Sequence, residues 1–110
     1  MNRISLLGVD RMNQDRERVM QLLGEQRGAI RNYGVCRLRL FGSCARDEAS
    51  EVSDLDFLVD FEKKSFDAYM GLKEFLENLF GCPVDLVLSN AIKPRLRPFI
   101  LKDAIDVEGL

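Results

Sequence analysis

Two apolar stretches, each with a short polar motif at one end, restrict most strongly what this chain can fold into. The first stretch, Val35 to Phe41, ends at Gly42-Ser43, and ten residues later Asp54-Leu55-Asp56 opens the second, which continues to Phe61. Both have the length of strands and are bounded by turn-forming residues. The glycine–serine turn and the acidic pair can share one site only if the two strands run antiparallel. The chain is therefore expected to bring these polar residues together at one end of a strand pair.

The first stretch alternates apolar and basic side chains. Leu38 and Leu40 are expected on one face of the strand and Arg37 and Arg39 on the other, because successive side chains of a strand point to opposite faces. This alternation is typical of a strand and not of a helix.

Helices and a third strand are predicted around this pair. The predicted elements are a helix from about Asp10 to Tyr33 that ends at Gly34, a short helix from Ser43 to Ala49 capped by Ser43, a loop from Ser50 to Ser53, a helix from Ser65 that ends at Gly81, a strand from Pro83 to Leu88, and a final helix, or two short helical pieces, from Asn90 to about Ala104. The side chains expected on the buried side of the helix that begins at Ser65 are Phe66, Tyr69, Met70, Leu72, Leu76, Leu79 and Phe80.

The order of these elements predicts the fold class. A helix between the second and third strands makes them parallel, because parallel strands need a crossover connection. The expected fold is α/β of the α+β kind, with a small mixed sheet of three strands, or slightly more, flanked by helices. With 110 residues, residues 1–110 are expected to form a single domain.

The composition excludes several kinds of chemistry. The chain has no histidine, which excludes serine–histidine and cysteine–histidine catalysis and histidine-ligated zinc. Its three cysteines are an odd number without close spacing, so a disulfide framework is not expected and a reducing cytoplasm is the simplest setting. No apolar run approaches the roughly 18 residues that span a bilayer. The net charge of −2 gives no support to direct nucleic-acid binding.

The acidic pair indicates a metal site. Asp54 and Asp56 are two residues apart in or beside a strand, so their side chains can project together. Such carboxylates repel each other, and a divalent cation reverses the repulsion. Magnesium prefers oxygen ligands and takes a few carboxylates together with substrate phosphates. Asp85, just inside the third strand, is a third candidate near the same end of the sheet.

The glycine–serine turn indicates a phosphate site. Gly42 lets the backbone approach a ligand closely, Ser43 offers a hydroxyl and an amide, and Arg46 lies one helical turn further on. Alone, each of these residues is more simply a turn, a cap or a solvated charge. A phosphate site beside paired carboxylates, however, is what nucleotidyl transfer requires.

The combined motif resembles the nucleotidyltransferase superfamily that includes DNA polymerase beta. Gly42-Ser43, ten intervening residues and Asp54-x-Asp56 carry the resemblance. The segments similar to its minimal nucleotidyltransferase (MNT) branch are Phe41 to Arg46, Ser53 to Val59, Val84 to Val87 and Lys93 to Ile100. The resemblance covers about Val35 to Ile100 and implies a nucleotidyltransferase fold.

The resemblance also implies a role for each matched residue. Gly42 and Ser43 would bind the phosphates of ATP, and Arg46 would have a phosphate-binding or structural role. Asp54 and Asp56 would hold Mg²⁺, as one or two ions, and Asp85 would be the third acidic residue, as ligand and general base. MNT proteins are commonly antitoxins of HEPN-domain ribonuclease toxins, and those that act as enzymes transfer AMP from ATP to a tyrosine of the toxin. A HEPN toxin is therefore the expected partner, in a homo- or hetero-oligomer.

Three other interpretations use the same residues. The fold could neutralise a toxin by binding alone, with weak or no catalysis. It could transfer a nucleotide to a small molecule, although such enzymes usually need extra structure for the acceptor. Polymerase activity is the weakest, because nothing in the chain resembles a template channel. Separately, a partner interface is a candidate role for three apolar residues of the basic C-terminal segment. They are Leu96, Phe99 and Ile100, and the basic residues beside them are Lys93, Arg95, Arg97 and Lys102.

Overall fold

The computed structural model describes residues 15–46 and 54–110, which form a four-stranded mixed sheet. Its strands are β1 (Val35–Phe41), β2 (Leu55–Phe61), β3 (Val84–Leu88) and β4 (Ile105–Asp106), in the spatial order β3-β2-β1-β4. β1 is antiparallel to both β2 and β4, and β2 is parallel to β3. The predicted directions of the first three strands are confirmed. β4 adds a short fourth strand that the sequence did not indicate.

The helices surround this sheet. They are α1 (Arg16–Glu25), α2 (Arg27–Arg31), α3 (Gly42–Ala45), α4 (Phe66–Phe80) and α5 (Arg97–Lys102), with 3₁₀ turns at Ser89–Ala91 and Pro94–Leu96. The predicted final helix is thus confirmed as short pieces, but Asn90 lies inside the first 3₁₀ turn instead of capping a helix. None of the described helices is long and apolar enough to cross a membrane.

The first predicted helix is divided in two at Gln26. This residue leaves helical geometry (φ −105°, ψ 18°), and its N–H donates to the carbonyls of Leu22 and Leu23. Glycines at positions 24 and 28 flank the break, and each weakens a helix by about 1 kcal/mol relative to alanine. The predicted start at Asp10 lies outside the described residues. Asp15 caps α1 by accepting a hydrogen bond of 2.8 Å from the Arg18 N–H.

The prediction that Ser43 caps the next helix was wrong. α3 already begins at Gly42, its N-cap is Phe41, and no side chain caps it. Gly42 has a φ of +80°, which lets the chain leave β1 and turn into the helix within one residue. Ser43 is therefore part of the first turn. The end of this predicted helix and the predicted loop Ser50–Ser53 lie outside the described residues.

α4 begins and ends as predicted. Ser65 Oγ accepts a hydrogen bond of 3.0 Å from the Ala68 N–H, and Gly81 ends the helix with a φ of +67°. The prediction that Phe66 and Met70 are buried was wrong, because they are 75% and 42% exposed. At 3.6 residues per turn they lie roughly 80–120° around the helix from Leu76, beyond the stripe that meets the sheet.

The core lies between one face of the sheet and α1, α2 and α4. It contains fully buried side chains from β1 (Leu38, Leu40), β2 (Leu55, Phe57), α1 (Leu23), α2 (Ile30) and α4 (Leu72, Leu76).

The opposite face of the sheet carries Arg39, Leu58, Asp56 and Asp85. Arg39 is on the predicted face but is only 8% exposed. Its Nη2 donates to Ser89 Oγ at 3.3 Å and lies 3.8 Å from Asp60 Oδ2. The chain that follows β3 therefore covers part of this face.

Candidate active site

The sheet register brings the predicted acidic residues and the glycine–serine turn to one end of the strands. Asp56 is the Cα partner of Phe41 on β1 and of Asp85 on β3. Residues paired in this way lie on the same face of a sheet, about 5 Å apart. Asp56 is therefore placed between Asp85 on one side and the start of the Gly42 turn on the other. A hydrogen bond of 3.2 Å from the Leu55 N–H to the Pro83 carbonyl continues the pairing to the end of the strands.

Gly42 lies directly against the Asp56 carboxylate. A Cβ placed at position 42 would be 3.0 Å from Asp56 Cγ, 3.2 Å from Asp56 Cβ and closer still to Oδ2. Real Cβ atoms essentially never lie closer than 3.0 Å to another atom, as this one would to Oδ2, and the φ of +80° independently favours glycine. Close approach of the turn to the carboxylate thus requires glycine here on two separate grounds.

The carboxylates of Asp54 and Asp85 repel that of Asp56. Burial raises the pKa of the half-buried Asp56 above its ordinary value of 3.8, and the charges of Asp85 and then Asp54 raise it further. Asp54 and Asp85 are both exposed. The site therefore carries concentrated negative charge that a bound cation would stabilise.

Arg46 supplies positive charge to the same edge. It follows α3, and its charge lowers the pKa of Asp56, against the effect of the carboxylates. Its Nη1 lies 3.7 Å from Asp103 Oδ2, beside the end of α5. The guanidinium is therefore held close to the carboxylates, where it can also meet a phosphate.

Two residues near the site were not predicted from the sequence. Asp103 contacts Arg46. Burial and then the charge of Asp54 raise the pKa of the Cys82 thiol. The position of Cys82 could have been inferred from the parallel register, since Leu55 pairs with Val84. No sequence signal pointed to Asp103, because its contact depends on where the C-terminal segment packs.

The three aspartates offer oxygen atoms, the kind of ligand that magnesium prefers, but they do not enclose an ion by themselves. Within residues 15–46 and 54–110, no three Asp, Glu or Cys side chains gather closely enough to enclose a metal ion by themselves. An ion here would need oxygens from phosphates as well as from Asp54, Asp56 and Asp85, and magnesium is commonly bound in this way. The half-buried Ser43 and the backbone at Gly42 lie on the side where such phosphates would enter.

Comparison with known proteins decides the family. The model of the nucleotidyltransferase domain family matches residues 23–107, which include the glycine–serine turn and all three aspartates. The chain belongs to the nucleotidyltransferase family. The expectation drawn from the motif spacing is confirmed at this level.

Two relatives of this nucleotidyltransferase carry a more specific name. It is 46% identical over 76 residues to MJ0435 of Methanocaldococcus jannaschii, named as a protein adenylyltransferase, with 68% of this chain and 82% of that protein covered. It is 37% identical over 93 residues to the protein adenylyltransferase MntA of Thermococcus cleftensis, with 83% and 94% covered.

Solved structures confirm the nucleotidyltransferase fold. A structure described as a minimal nucleotidyltransferase is similar with a TM-score of 0.74 and 39% identity, covering 84% of this chain and 96% of that chain. A chain in the complex of a tri-AMPylated Shewanella oneidensis HEPN toxin with an MNT antitoxin is similar with a TM-score of 0.59, covering 83% and 73%. Its identity of 20% shows similarity of fold alone.

Proposed function

We propose that this nucleotidyltransferase is a magnesium-dependent protein adenylyltransferase. In this proposal it transfers AMP from ATP to a tyrosine of a HEPN-domain ribonuclease toxin and so acts as the antitoxin. The observation that carries the proposal is the position of Asp56, which lies between Asp85 and the Gly42 turn on one sheet face. The names of the relatives MJ0435 and MntA support protein as the acceptor, and the Shewanella complex supports a HEPN toxin.

Each residue of the site has a part in this reaction. The Gly42 backbone and the Ser43 hydroxyl hold the triphosphate, and Arg46 offsets its negative charge. Asp54 and Asp56 hold magnesium, which when bound neutralises charge on the phosphate oxygens.

Asp85 is the proposed base. The acceptor oxygen forms a bond to the α-phosphorus of ATP while the bond to the pyrophosphate oxygen breaks. Asp85 accepts the proton of the acceptor hydroxyl, and pyrophosphate leaves. An exposed carboxylate at the sheet edge is suited to this role, because a protein hydroxyl can reach it from solvent.

The test uses ATP labelled at either the α- or the γ-phosphate. The purified chain and magnesium are incubated with a HEPN-domain protein from the same source organism. Label from the α-phosphate should appear on the HEPN protein, label from the γ-phosphate should not, and peptide mass spectrometry should place the adduct on tyrosine. Transfer of the γ-label would instead indicate a kinase and would contradict the proposal.

Matched carboxylate variants separate catalysis from binding. Asp54→Asn should abolish labelling, whereas Glu74→Gln, which removes an exposed charge on α4, should leave it unchanged. Inhibition of the ribonuclease by a tight complex, with no adduct on the toxin, would show that the chain neutralises by binding alone.

A further inference from the structure

Within the described residues, an open apolar groove of about 570 Å³ lies along β3, the outer strand of the sheet. Its buried and half-buried wall includes Phe61, Tyr69 and Leu86, and its exposed rim includes Lys64 and Phe66. Pockets that bind small molecules and cofactors commonly have volumes of about 300–1,000 Å³ and apolar, aromatic walls. The groove therefore has the size and lining of a binding surface.

This groove is separate from the end of the sheet that carries Asp54, Asp56 and Asp85. On β3 the site residue is Asp85 and the most distant groove residue is Leu88. On β2 the site residue is Asp56 and the groove residue is Phe61. At about 3.3 Å per residue these separations are roughly 10 Å and 17 Å along the strands. Phe61 and Leu86 are on the core face of the sheet and Asp56 and Asp85 are on the other face, so a protein bound in the groove would reach the reacting phosphate around the β3 side of the sheet.

The side of β3 that pairs with no described strand is partly blocked against another strand. The Tyr69 hydroxyl donates to the Leu86 carbonyl, and a Glu77 carboxylate oxygen accepts a hydrogen bond of 3.0 Å from the Val84 N–H. Since side chains of α4 already engage these outward backbone groups, an added strand would have to displace them. The groove is better suited to side chains from a helix, which binds by its apolar face and needs no backbone pairing.

The rim of the groove indicates the chemistry of that helix. Phe66 is 75% exposed, and exposed aromatic side chains beside a pocket are frequent anchors in protein interfaces. Among the described residues that line the groove, Lys64 alone is charged. A complementary helix would therefore present apolar side chains to Phe66 and a carboxylate to Lys64.

We infer that this groove binds an amphipathic, acidic helix of the acceptor protein and holds that protein while its hydroxyl reaches the active site. This inference rests on the proposed function, since it assumes a protein acceptor. It adds a docking site at the β3 edge that is distinct from the catalytic carboxylates.

A pair of variants at exposed apolar side chains of one helix tests the groove. Phe66→Ala removes the groove side chain, whereas Met70→Ala removes a side chain of α4 that is 42% exposed and does not line the groove. Phe66→Ala should raise the KM and the Kd for the HEPN-domain protein about tenfold or more, with kcat and ATP affinity unchanged. Met70→Ala should change each by less than about twofold. Equal effects of the two variants would overturn the inference.

A second pair tests the charge. Lys64→Glu should weaken binding of the HEPN protein more than Lys63→Glu, which alters an exposed neighbour outside the groove lining. If Lys64→Glu or Phe66→Ala changed the oligomeric state of the chain in light scattering and left the Kd unchanged, the groove would be occupied by a second copy and the inference would be wrong.

The failure of the proposed function can be told apart from the failure of the groove. If the parent binds the HEPN protein without transferring AMP, the proposed function fails, and the Kd comparison still decides the groove. If the parent transfers AMP and Phe66→Ala does so with the same KM, only the groove inference fails.

Discussion

Replacing Gly42 by alanine should destabilise the fold through two separate effects. A non-glycine residue in left-handed geometry costs about 1–2 kcal/mol, and the φ of Gly42 is +80°. The new Cβ would also lie 3.0 Å from Asp56 Cγ, and overpacking of this kind typically costs about 1–3 kcal/mol. Gly42→Ala should therefore lower the free energy of unfolding by about 2–5 kcal/mol, against a usual total of about 5–15 kcal/mol.

Gly34→Ala is the matched control for the backbone effect. Gly34 has a φ of +85°, and a Cβ there would have no neighbour within 4 Å among residues 15–46 and 54–110. It should cost only the conformational part, about 1–2 kcal/mol. The difference between the two variants then measures the contact between position 42 and Asp56.

A double-mutant cycle isolates that contact. Asp56→Ala removes Cγ and Oδ2 and leaves only the Asp56 Cβ, at 3.2 Å from the new methyl group. In the Asp56→Ala background, Gly42→Ala should cost about as much as Gly34→Ala, which gives a coupling of about 1–3 kcal/mol. Urea unfolding followed by circular dichroism measures all of these values, provided that the m-values agree. If Gly42→Ala cost no more than Gly34→Ala in the parent, the close approach of the turn to the carboxylate would be refuted.

Three further outcomes are expected. Without metal, Asp56→Asn should leave the melting temperature unchanged or raised, because it removes repulsion from Asp85 and Asp54. Magnesium and ATP at 100 times the Kd should stabilise the parent by about 2.7 kcal/mol and the variant by less. A parent whose melting temperature does not rise with magnesium and ATP would count against the site. Arg39→Met and Arg39→Ala both remove the hydrogen bond to the buried Ser89 hydroxyl, but only alanine also leaves a cavity. In urea unfolding, Arg39→Met should therefore lower the free energy of unfolding by less than Arg39→Ala, and equal losses would contradict this reasoning. Hydrogen bonds from the Val84 N–H and then from Lys73 lower the pKa of Glu77 below 4.5. The stability that the Glu77 carboxylate contributes is therefore present above that pH and is lost as the pH falls through the lowered folded-state value. Glu77→Gln should lose less stability than the parent during acid titration, and parallel titration curves would exclude a stabilising role for the Glu77 charge.

The strand pair and the meeting of the site residues could be predicted from the sequence. β1 was recognised because its alternation is a local property of seven residues, and the antiparallel direction followed from the need to bring Gly42 near Asp56. The parallel placement of Asp85 followed from the crossover helix. The catalytic and binding roles of these residues remain predictions, because the structure gives their positions and not their chemistry.

Features that depend on packing between distant segments could not be predicted. Arg39 looked like an ordinary polar residue of an alternating strand, and its burial depends on the chain around Ser89. Phe66 looked like part of an apolar helix face, but the sheet does not reach it. β4 has only two residues, too few for a periodic pattern, and it pairs with β1 across a long separation in sequence.

The capping of β3 by Tyr69 and Glu77 also bears on solubility. Unpaired strand edges are templates for aggregation. At the other edge of the described sheet, β4 is only two residues long, so it offers little for a further strand to pair with. Resistance to fibril growth at the β3 edge thus depends on two polar side chains of α4. Mutations that remove these groups would first be noticed as aggregation during expression, even where the carboxylate edge is intact.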